Sequence, residues 1–487
     1  MFACTSDDSD APQNAFGCIC HTPAFAALNA QLSRKMSRRA FIGGATAMGA
    51  AAFLPRGAAA KIPDAPKTPV AFTNIRLFDG KSAALRTGLR VVVDGNTIKA
   101  VEPADKPLPS GLQVIDGGGR TLMPGMIDAH VHLMMASLPM TALMTADIGF
   151  INLAAAQEAE ATLMRGFTTV RDMAGPAFGL KRAIDMGMIA GPRIYPSGAM
   201  ISQTAGHGDY RMPYEVPTAP AAPLSHGEVM NAGIIADGAD AVLKRTREQL
   251  MLGATQIKLA AGGGVASNYD PIDVSEYTEP EFRAAVEAAE NWGTYVAVHA
   301  YTARAIQTAL RAGVRSIEHG QLMDEPTAKI IADKGAWFSS QPFLLDEDAN
   351  PYPPGSANAA KQAMVAQGTD AAFGFARTYK LKTAWGTDTL FSPQQTVKQG
   401  KKLAKMVRWY TPAEVLAMAT SANAELCAMC GPRNPYPAKL GVIEDGAFAD
   451  ILLVDGDPIA DIQLIADPSK NLVVIMKDGR IFKNTLG

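Results

Sequence analysis

A chain of 487 residues could hold about three average domains, although a single α/β barrel takes about 250 residues by itself. Hydrophobic residues at 48% and charged residues at 19% allow a sizeable core, which excludes disorder or fibrous structure over most of the length. With 45 basic against 47 acidic residues and no block of like charge, the composition excludes a dedicated binder of nucleic acid or of an anionic membrane.

Residues 1–60 read as a leader. Ser37-Arg38-Arg39-Ala40-Phe41-Ile42 precedes a short apolar run over residues 43–54, and Ala58-Ala59-Ala60 offers a small-residue cleavage site. The twin arginine followed by Phe resembles a Tat signal, which implies the Tat export machinery as a partner and a periplasmic or secreted protein. The apolar run is too short for an ordinary membrane span. Met36 stands directly before the signal and is an alternative start to Met1. A mature chain beginning at Lys61 keeps only Cys427 and Cys430, too few for a disulfide framework or a four-cysteine zinc site, so helix packing is their expected role.

From residue 70 onward the pattern is one of short strands. Residues 70–77 and 89–93 are followed by an Asp94-Gly95 turn and a run over 97–101, which is a hairpin signal. The C-terminus repeats the style over residues 449–454 and 472–476, with a Lys477-Asp478-Gly479 turn before Ile481-Phe482. Both ends, 61–121 and 427–487, are therefore expected to build one small β-sandwich domain. Between them, over 122–426, strands predicted at 125–130, 168–171, 193–196, 256–259, 295–299, 316–318, 336–339 and 383–386 alternate with helical patterns at 154–165, 240–252, 279–292, 304–312 and 325–334. Thr278-x-x-Glu281 and Thr411-x-x-Glu414 are capping boxes, the second with Pro412 at the first helical position. Eight strands alternating with helices predict an α/β fold, a (β/α)8 TIM-like barrel. The Pro- and Ala-rich stretch over residues 343–382 contains no readable element.

His130-Val131-His132 ends the first barrel strand, and residues i and i+2 of a strand share a face, so both imidazoles can reach one metal. Strand five ends at His299, strand six runs into His319 and strand eight into Asp388, all at the rim where barrels place their active sites. Lys258 sits inside the apolar run Ile257-Lys258-Leu259-Ala260, where a buried ammonium is costly. Carbamylated by CO2, the same side chain becomes an anionic carboxylate that can bridge two metals. His207, Asp209, Tyr210 and Arg211 occupy a Gly-flanked loop after strand three, and Tyr301 shares the face of His299. His207, Arg211 and Tyr301 are the candidate donors to a substrate carboxylate. His21 and His226 have no evident partner and are expected to be solvent-exposed.

The set His-x-His, lysine, histidine, histidine and aspartate on strands one, four, five, six and eight resembles the binuclear amidohydrolase superfamily. The flanks Leu122-Met123-Pro124-Gly125-Met126-Ile127-Asp128-Ala129-His130, Phe448-Ala449-Asp450-Ile451 and Asp455-Gly456-Asp457-Pro458 fit as well, so the likeness covers about residues 68–487. His299-Ala300-Tyr301-Thr302, Glu318-His319-Gly320 and His207-Gly208-Asp209 resemble the Xaa-Pro dipeptidase and carboxypeptidase branch, which is related to imidazolonepropionases and includes ochratoxin A amidohydrolases. The resemblance implies two divalent metals, with zinc the expected ion. His130, His132 and Asp388 would hold one, His299 and His319 the other, with carbamylated Lys258 between them. Asp388 would also move the proton from the attacking water to the leaving nitrogen. The implied substrate is an N-acyl amino acid or dipeptide with a free carboxylate. A homo-oligomer is expected, with nothing in the sequence to give its order. Rival readings are a mononuclear deaminase, against which Lys258 counts, a cyclic amide, lactone or phosphoester hydrolase, and a non-enzymatic scaffold, which would not need all six ligand positions.

Overall fold

Parallel strands and helices alternate from Met126 to Trp385 in the computed structural model, which describes residues 62–219 and 222–486. The Tat-type signal, its cleavage site and His21 lie outside the described residues. The strands are β1 (Met126–Val131), β2 (Phe167–Asp172), β3 (Arg193–Pro196) and β4 (Ile257–Ala260), then β5 (Val296–Thr302), β6 (Ser316–Leu322), β7 (Trp337–Ser340) and β8 (Lys382–Trp385). Each overlaps its expected range. Every residue of β1, β2, β3, β4 and β7 is buried, as parallel strands covered on both faces require.

The helices of eight or more residues between them are α1 (Ile148–Met164), α2 (Phe178–Asp185), α3 (Ala239–Leu252), α4 (Glu279–Asn291), α5 (Ala303–Ala312) and α6 (Glu325–Asp333). In the stretch that offered no readable element, a seventh, α7 (Ala357–Thr378), buries Val365, Thr369, Ala372, Phe373 and Ala376 along one face. Its small residues weaken the apolar contrast on which a sequence reading depends. α1 starts six residues before its expected beginning because Asp147 caps it, accepting from the Phe150 N–H. The capping box ahead of α4 is present, with the Glu281 carboxylate accepting from both the N–H and the hydroxyl of Thr278.

The strands form two parallel sheets rather than one continuous ring, which corrects the expectation of a regular (β/α)8 barrel. β1, β2 and β3 make the first sheet, and Gly233–Ile235, Met200–Ser202 and β4 to β8 make the second. The first seam lies within strand three. Gly198, at φ +74°, turns the backbone between β3 and Met200–Ser202, so the first half pairs with β2 and the second with β4. A hydrogen bond from the Thr255 N–H to the Pro196 carbonyl (2.9 Å) spans that break. At the second seam, where β8 meets β1, the Asp388 N–H donates to the His130 carbonyl (2.9 Å) and the Thr387 N–H to Asp128 Oδ1 (3.1 Å).

Two mixed sheets come from the chain ends. One has the order Thr97–Pro103, Leu89–Asp94, Val70–Thr73, Gln113–Asp116; the other Arg480–Asn484, Leu472–Lys477, Ile451–Val454, Thr121–Pro124, Arg76–Leu77. Thr121–Pro124 pairs antiparallel with Ile451–Val454, so the two ends share a sheet. Val70, Phe72, Val91, Leu122, Leu453 and Val474 belong to one apolar cluster drawn from both sheets. Both predicted turns form: Gly95 lies at φ +60°, and Asp478 and Gly479 at φ +55° and +71°, the backbone that tight hairpins need. Cys427 and Cys430 are free thiols buried against Leu426 and Tyr436, and burial pushes both up to about 12.

Candidate metal centre

β1, β5 and β6 carry His130, His299 and His319, and the segment after β8 carries Asp388, to one place, with His132 just beyond β1. Ligand atoms of His130, His319 and Asp388 lie within 4.8 Å of one another. His132 Nε2 is 3.1 Å from Asp388 Oδ1, and His130 Nε2 is 3.4 Å from the same oxygen. The His299 ring is centred 4.4 Å from that of His319. Lys258 is buried on β4 opposite Ala297, in the register that sets Ala260 opposite His299. Among the described residues its amine makes no hydrogen bond, and burial pushes it down to about 8.

Two of these residues have a strained backbone. His319 lies at φ +79° and Asp388 at φ +49°, the left-handed region that costs a side-chain-bearing residue about 1–2 kcal/mol. The strain at His319 has a geometric result. Consecutive residues of a regular strand face opposite ways, yet Glu318 and His319 are both buried, and both meet His130. The left-handed turn at His319 and the register shift after Ala300 break the alternation and bring both side chains inward.

Glu318 was missing from the residues expected at the site, and it organises much of it. Its Oε2 faces His130 Nδ1 at 2.9 Å and accepts from Arg171 Nη2 at 2.7 Å, while Ser316 donates to its Oε1 (2.6 Å). Arg171 in turn donates to the Ala129 carbonyl (2.6 Å), next to His130. Burial raises the Glu318 carboxyl, but Arg171, His130 and Lys258 together outweigh it and hold the group well below the usual range. Gln341, also unanticipated, faces His319 Nδ1 at 2.7 Å. The sequence signs of Glu318 were its place beside His319 and its part in the Glu318-His319-Gly320 motif; Arg171 and Gln341 gave none.

The donor set fits a divalent metal. His130 donates Nδ1–H to Glu318 and His132 donates Nδ1–H to the Ala174 carbonyl (3.3 Å), so both Nε2 lone pairs are bare. His130 Nε2 is buried without a hydrogen-bond partner. Burial also drives His130 and His299 well below the ordinary imidazole value and His319 down to about 4, which leaves them neutral and able to ligate. Two imidazole lone pairs and a carboxylate oxygen are all acceptors, and at 3.1–3.4 Å they repel unless a cation joins them. Ligands on bonds of about 2.0–2.1 Å in a tetrahedral zinc shell stand about 3.3 Å apart. His299 donates Nε2–H to the Gly263 carbonyl (3.1 Å), leaving Nδ1 as its free nitrogen.

A cavity of about 860 Å³, open to solvent, lies against this centre and is lined by His207, His299, Tyr301, Phe343, Asp388 and Lys402 among others. His207 stacks on His299 with centroids 4.0 Å apart, and its Nδ1 is 2.8 Å from the Ser267 hydroxyl, which donates to Asp270 (2.7 Å). Tyr301 packs against His299 and His319. Arg211 departs from expectation. Its guanidinium is locked on Asp209, Nε to Oδ1 at 2.8 Å and Nη2 to Oδ2 at 2.6 Å, and it does not line the cavity. Two residues apart in one loop, the pair is satisfied locally. His226 is half-buried rather than exposed, with Nε2 3.3 Å from the Leu143 carbonyl in a separate apolar pocket walled by Met134, Met140 and Met230.

Residues 121–482 match the amidohydrolase family. The chain is 31% identical over 332 residues to an ochratoxinase of Aspergillus niger, an alignment that spans 66% of this chain and 66% of that protein. Among solved structures, an amidohydrolase superposes with a TM-score of 0.78 at 37% identity, covering 86% of this chain and all of the other. A prolidase complexed with N-methylphosphonate-L-proline does so with a TM-score of 0.78 at 34% identity and the same coverage.

Proposed function

The chain belongs to the amidohydrolase family and is a hydrolytic enzyme, and we propose that it cleaves amide bonds whose amine belongs to an amino acid with a free α-carboxylate. The observation that carries this reading is the convergence of His130 and His132 on Asp388 at 3.1–3.4 Å, with His319 within 4.8 Å, beside a cavity that Asp388 and His299 line. Similarity to an ochratoxinase, and to a prolidase that binds a phosphonate of proline, supports an amide substrate ending in an amino acid.

His130, His132 and Asp388 would hold one divalent metal and His299 and His319 a second, zinc in each case, with carbamylated Lys258 between. Metal of this kind supplies activated water and polarises the scissile carbonyl when bound. Burial pushes Lys258 down to about 8 and so raises the share of the neutral amine above that of an exposed lysine; the neutral amine is the form that adds CO2 to give a carbamate and a proton. Glu318 and Gln341 orient the imidazoles of His130 and His319, so these ligands are positioned in advance. Asp388, whose Oδ1 lies 3.1 Å from His132 Nε2, is the carboxylate of the set and would take the proton of the attacking water. It then delivers that proton to the leaving nitrogen. His207 and Tyr301 bound the space in which the substrate sits.

We read the two parallel sheets as a TIM-like barrel interrupted within strand three and where β8 meets β1, and the two mixed sheets as a sandwich built from 61–121 and 427–487. Export through the Tat machinery to the periplasm, with a mature chain from Lys61, belongs to the same reading. N-terminal sequencing of exported protein tests it, and retention of Arg38 and Arg39 overturns it. For the chemistry, metal-loaded protein should hydrolyse members of a panel of N-acyl amino acids and Xaa-Pro dipeptides, and inactivity on the whole panel refutes the substrate class. Lys258→Ala should lose metal and most activity, with partial rescue by acetate. Unchanged metal content in that variant refutes the carbamate bridge.

A further inference from the structure

Lys402 lies in the helix Gln399–Ala404, which follows β8. Gln399 pins that helix to the strands, donating Nε2–H to Asp128 Oδ2 (2.8 Å) and accepting from Arg165 Nε (3.0 Å). Residues three apart share a helix face, so Lys402 is carried to the same inner side and lines the cavity beside Asp388. Its ammonium donates to the Thr389 hydroxyl at 2.9 Å, and among the described residues it has no carboxylate partner.

The neighbouring lysines are different. Lys398 pairs with Asp348 (3.1 Å), Lys401 with Asp348 (3.1 Å) and Glu347 (3.6 Å), and Lys405 with Asp346 (2.5 Å) and Asp348 (2.6 Å). Four lysines thus face three carboxylates, and of the two that line the cavity, Lys402 and Lys405, Lys402 is the one without a carboxylate partner. One hydroxyl acceptor leaves two of its three N–H groups free for an incoming anion. The side chain is half-buried, and that burial pushes its ammonium down to about 8. Arg211, the other cation considered for this task, is spent on Asp209.

We propose that Lys402 binds the α-carboxylate of the leaving amino acid and thereby selects substrates with a free C-terminus. This rests on the amide-hydrolase reading and adds to it the specificity-determining residue. The carboxylate accepts from the Lys402 ammonium while the scissile carbonyl lies at the His130–Asp388 end of the same cavity. The apolar wall of Phe343, Leu344, Val365 and Leu390 then receives the substrate's side chain.

The test compares N-acetyl-L-phenylalanine with its C-terminal amide on metal-loaded wild type, Lys402→Met, Lys402→Arg and Lys405→Met. Wild type should prefer the acid by roughly tenfold or more in kcat/KM, as a site built to pair a charged group should. Lys402→Met should collapse that preference through KM for the acid, and Lys402→Arg should keep part of it. Lys405→Met removes a cation already held by two carboxylates and should keep the preference. An acid-to-amide ratio unchanged in Lys402→Met, or equal losses on both substrates in Lys402→Met and Lys402→Arg, overturns the proposal. Calorimetric binding of N-benzyl-L-proline and its carboxamide, neither of which has an amide to cleave at the ring nitrogen, separates the two readings. Wild type that binds the acid more tightly, with the difference lost in Lys402→Met, upholds the anchor even if no substrate is cut. Equal binding of acid and carboxamide to wild type overturns the anchor and leaves the hydrolase reading standing.

Discussion

The functional side chains occupy positions where a single atom decides the outcome. Asp388→Asn keeps the shape that meets His132 but removes the anionic oxygen, so the fold should persist while kcat falls by about 10²-fold or more. Steady-state kinetics at saturating metal, with circular dichroism as the control for folding, checks this, and near-wild-type turnover would require another base. Glu276 offers a test by pH. It is fully buried, and it accepts from the His207 N–H at 2.8 Å. Burial, with the nearby Asp270, raises its carboxyl from 4.5 to about 9. An acid whose folded value is raised binds its proton more tightly when folded, so its contribution is full below about pH 4.5 and declines as pH climbs toward 9. The slope is at most about 1.4 kcal/mol per pH unit. Glu276→Gln keeps a carbonyl oxygen to accept from His207 and cannot titrate. Urea denaturation across that window should show a flatter stability profile for the variant, and identical slopes would mean that Glu276 ionises normally.

At the scale of elements, the seam between β8 and β1 is where the centre is assembled. Gly386 follows β8, and a Cβ there would stand 2.5 Å from both the N and the Cβ of His130. The glycine is needed for close approach, since its φ is not in the left-handed region. Gly386→Ala should therefore push β8 from β1, costing on the order of 2 kcal/mol as overpacking does, and should weaken metal binding because His130 and Asp388 lie on the two sides of the seam. Chemical denaturation and metal titration of the variant check both effects; wild-type stability would mean that the backbones part without penalty. The split of strand three at Gly198 was not legible, because a glycine between apolar residues reads as an ordinary turn until its neighbours are known to pair with different strands. The same holds for α7, whose Ala-rich sequence hides a face that only packing reveals.

At the scale of the whole molecule, the two chain ends depend on one another. Leu472–Lys477 pairs with Ile451–Val454, which pairs with Thr121–Pro124 directly before β1, and Leu452, Leu472 and Ile475 pack into the main core. A chain ending at residue 467 loses the two last strands and exposes that surface, so it should aggregate and lose its near-ultraviolet circular dichroism. A soluble product with a native spectrum would contradict this dependence. Local signals were enough for much of this architecture. Period-two and continuous apolar runs, capping residues and tight-turn pairs depend on neighbours within a few positions, so the eight strands, the hairpins and the order of the candidate ligands His130, His132, His299, His319 and Asp388 along them were readable. What tertiary structure alone decided are pairings between residues distant along the chain. Glu318 reaches His130 across 188 positions and Lys402 is left without a carboxylate while its neighbours find theirs. Arg211 closes on Asp209 instead of facing the cavity, a choice between two anions that sequence offers and only geometry resolves.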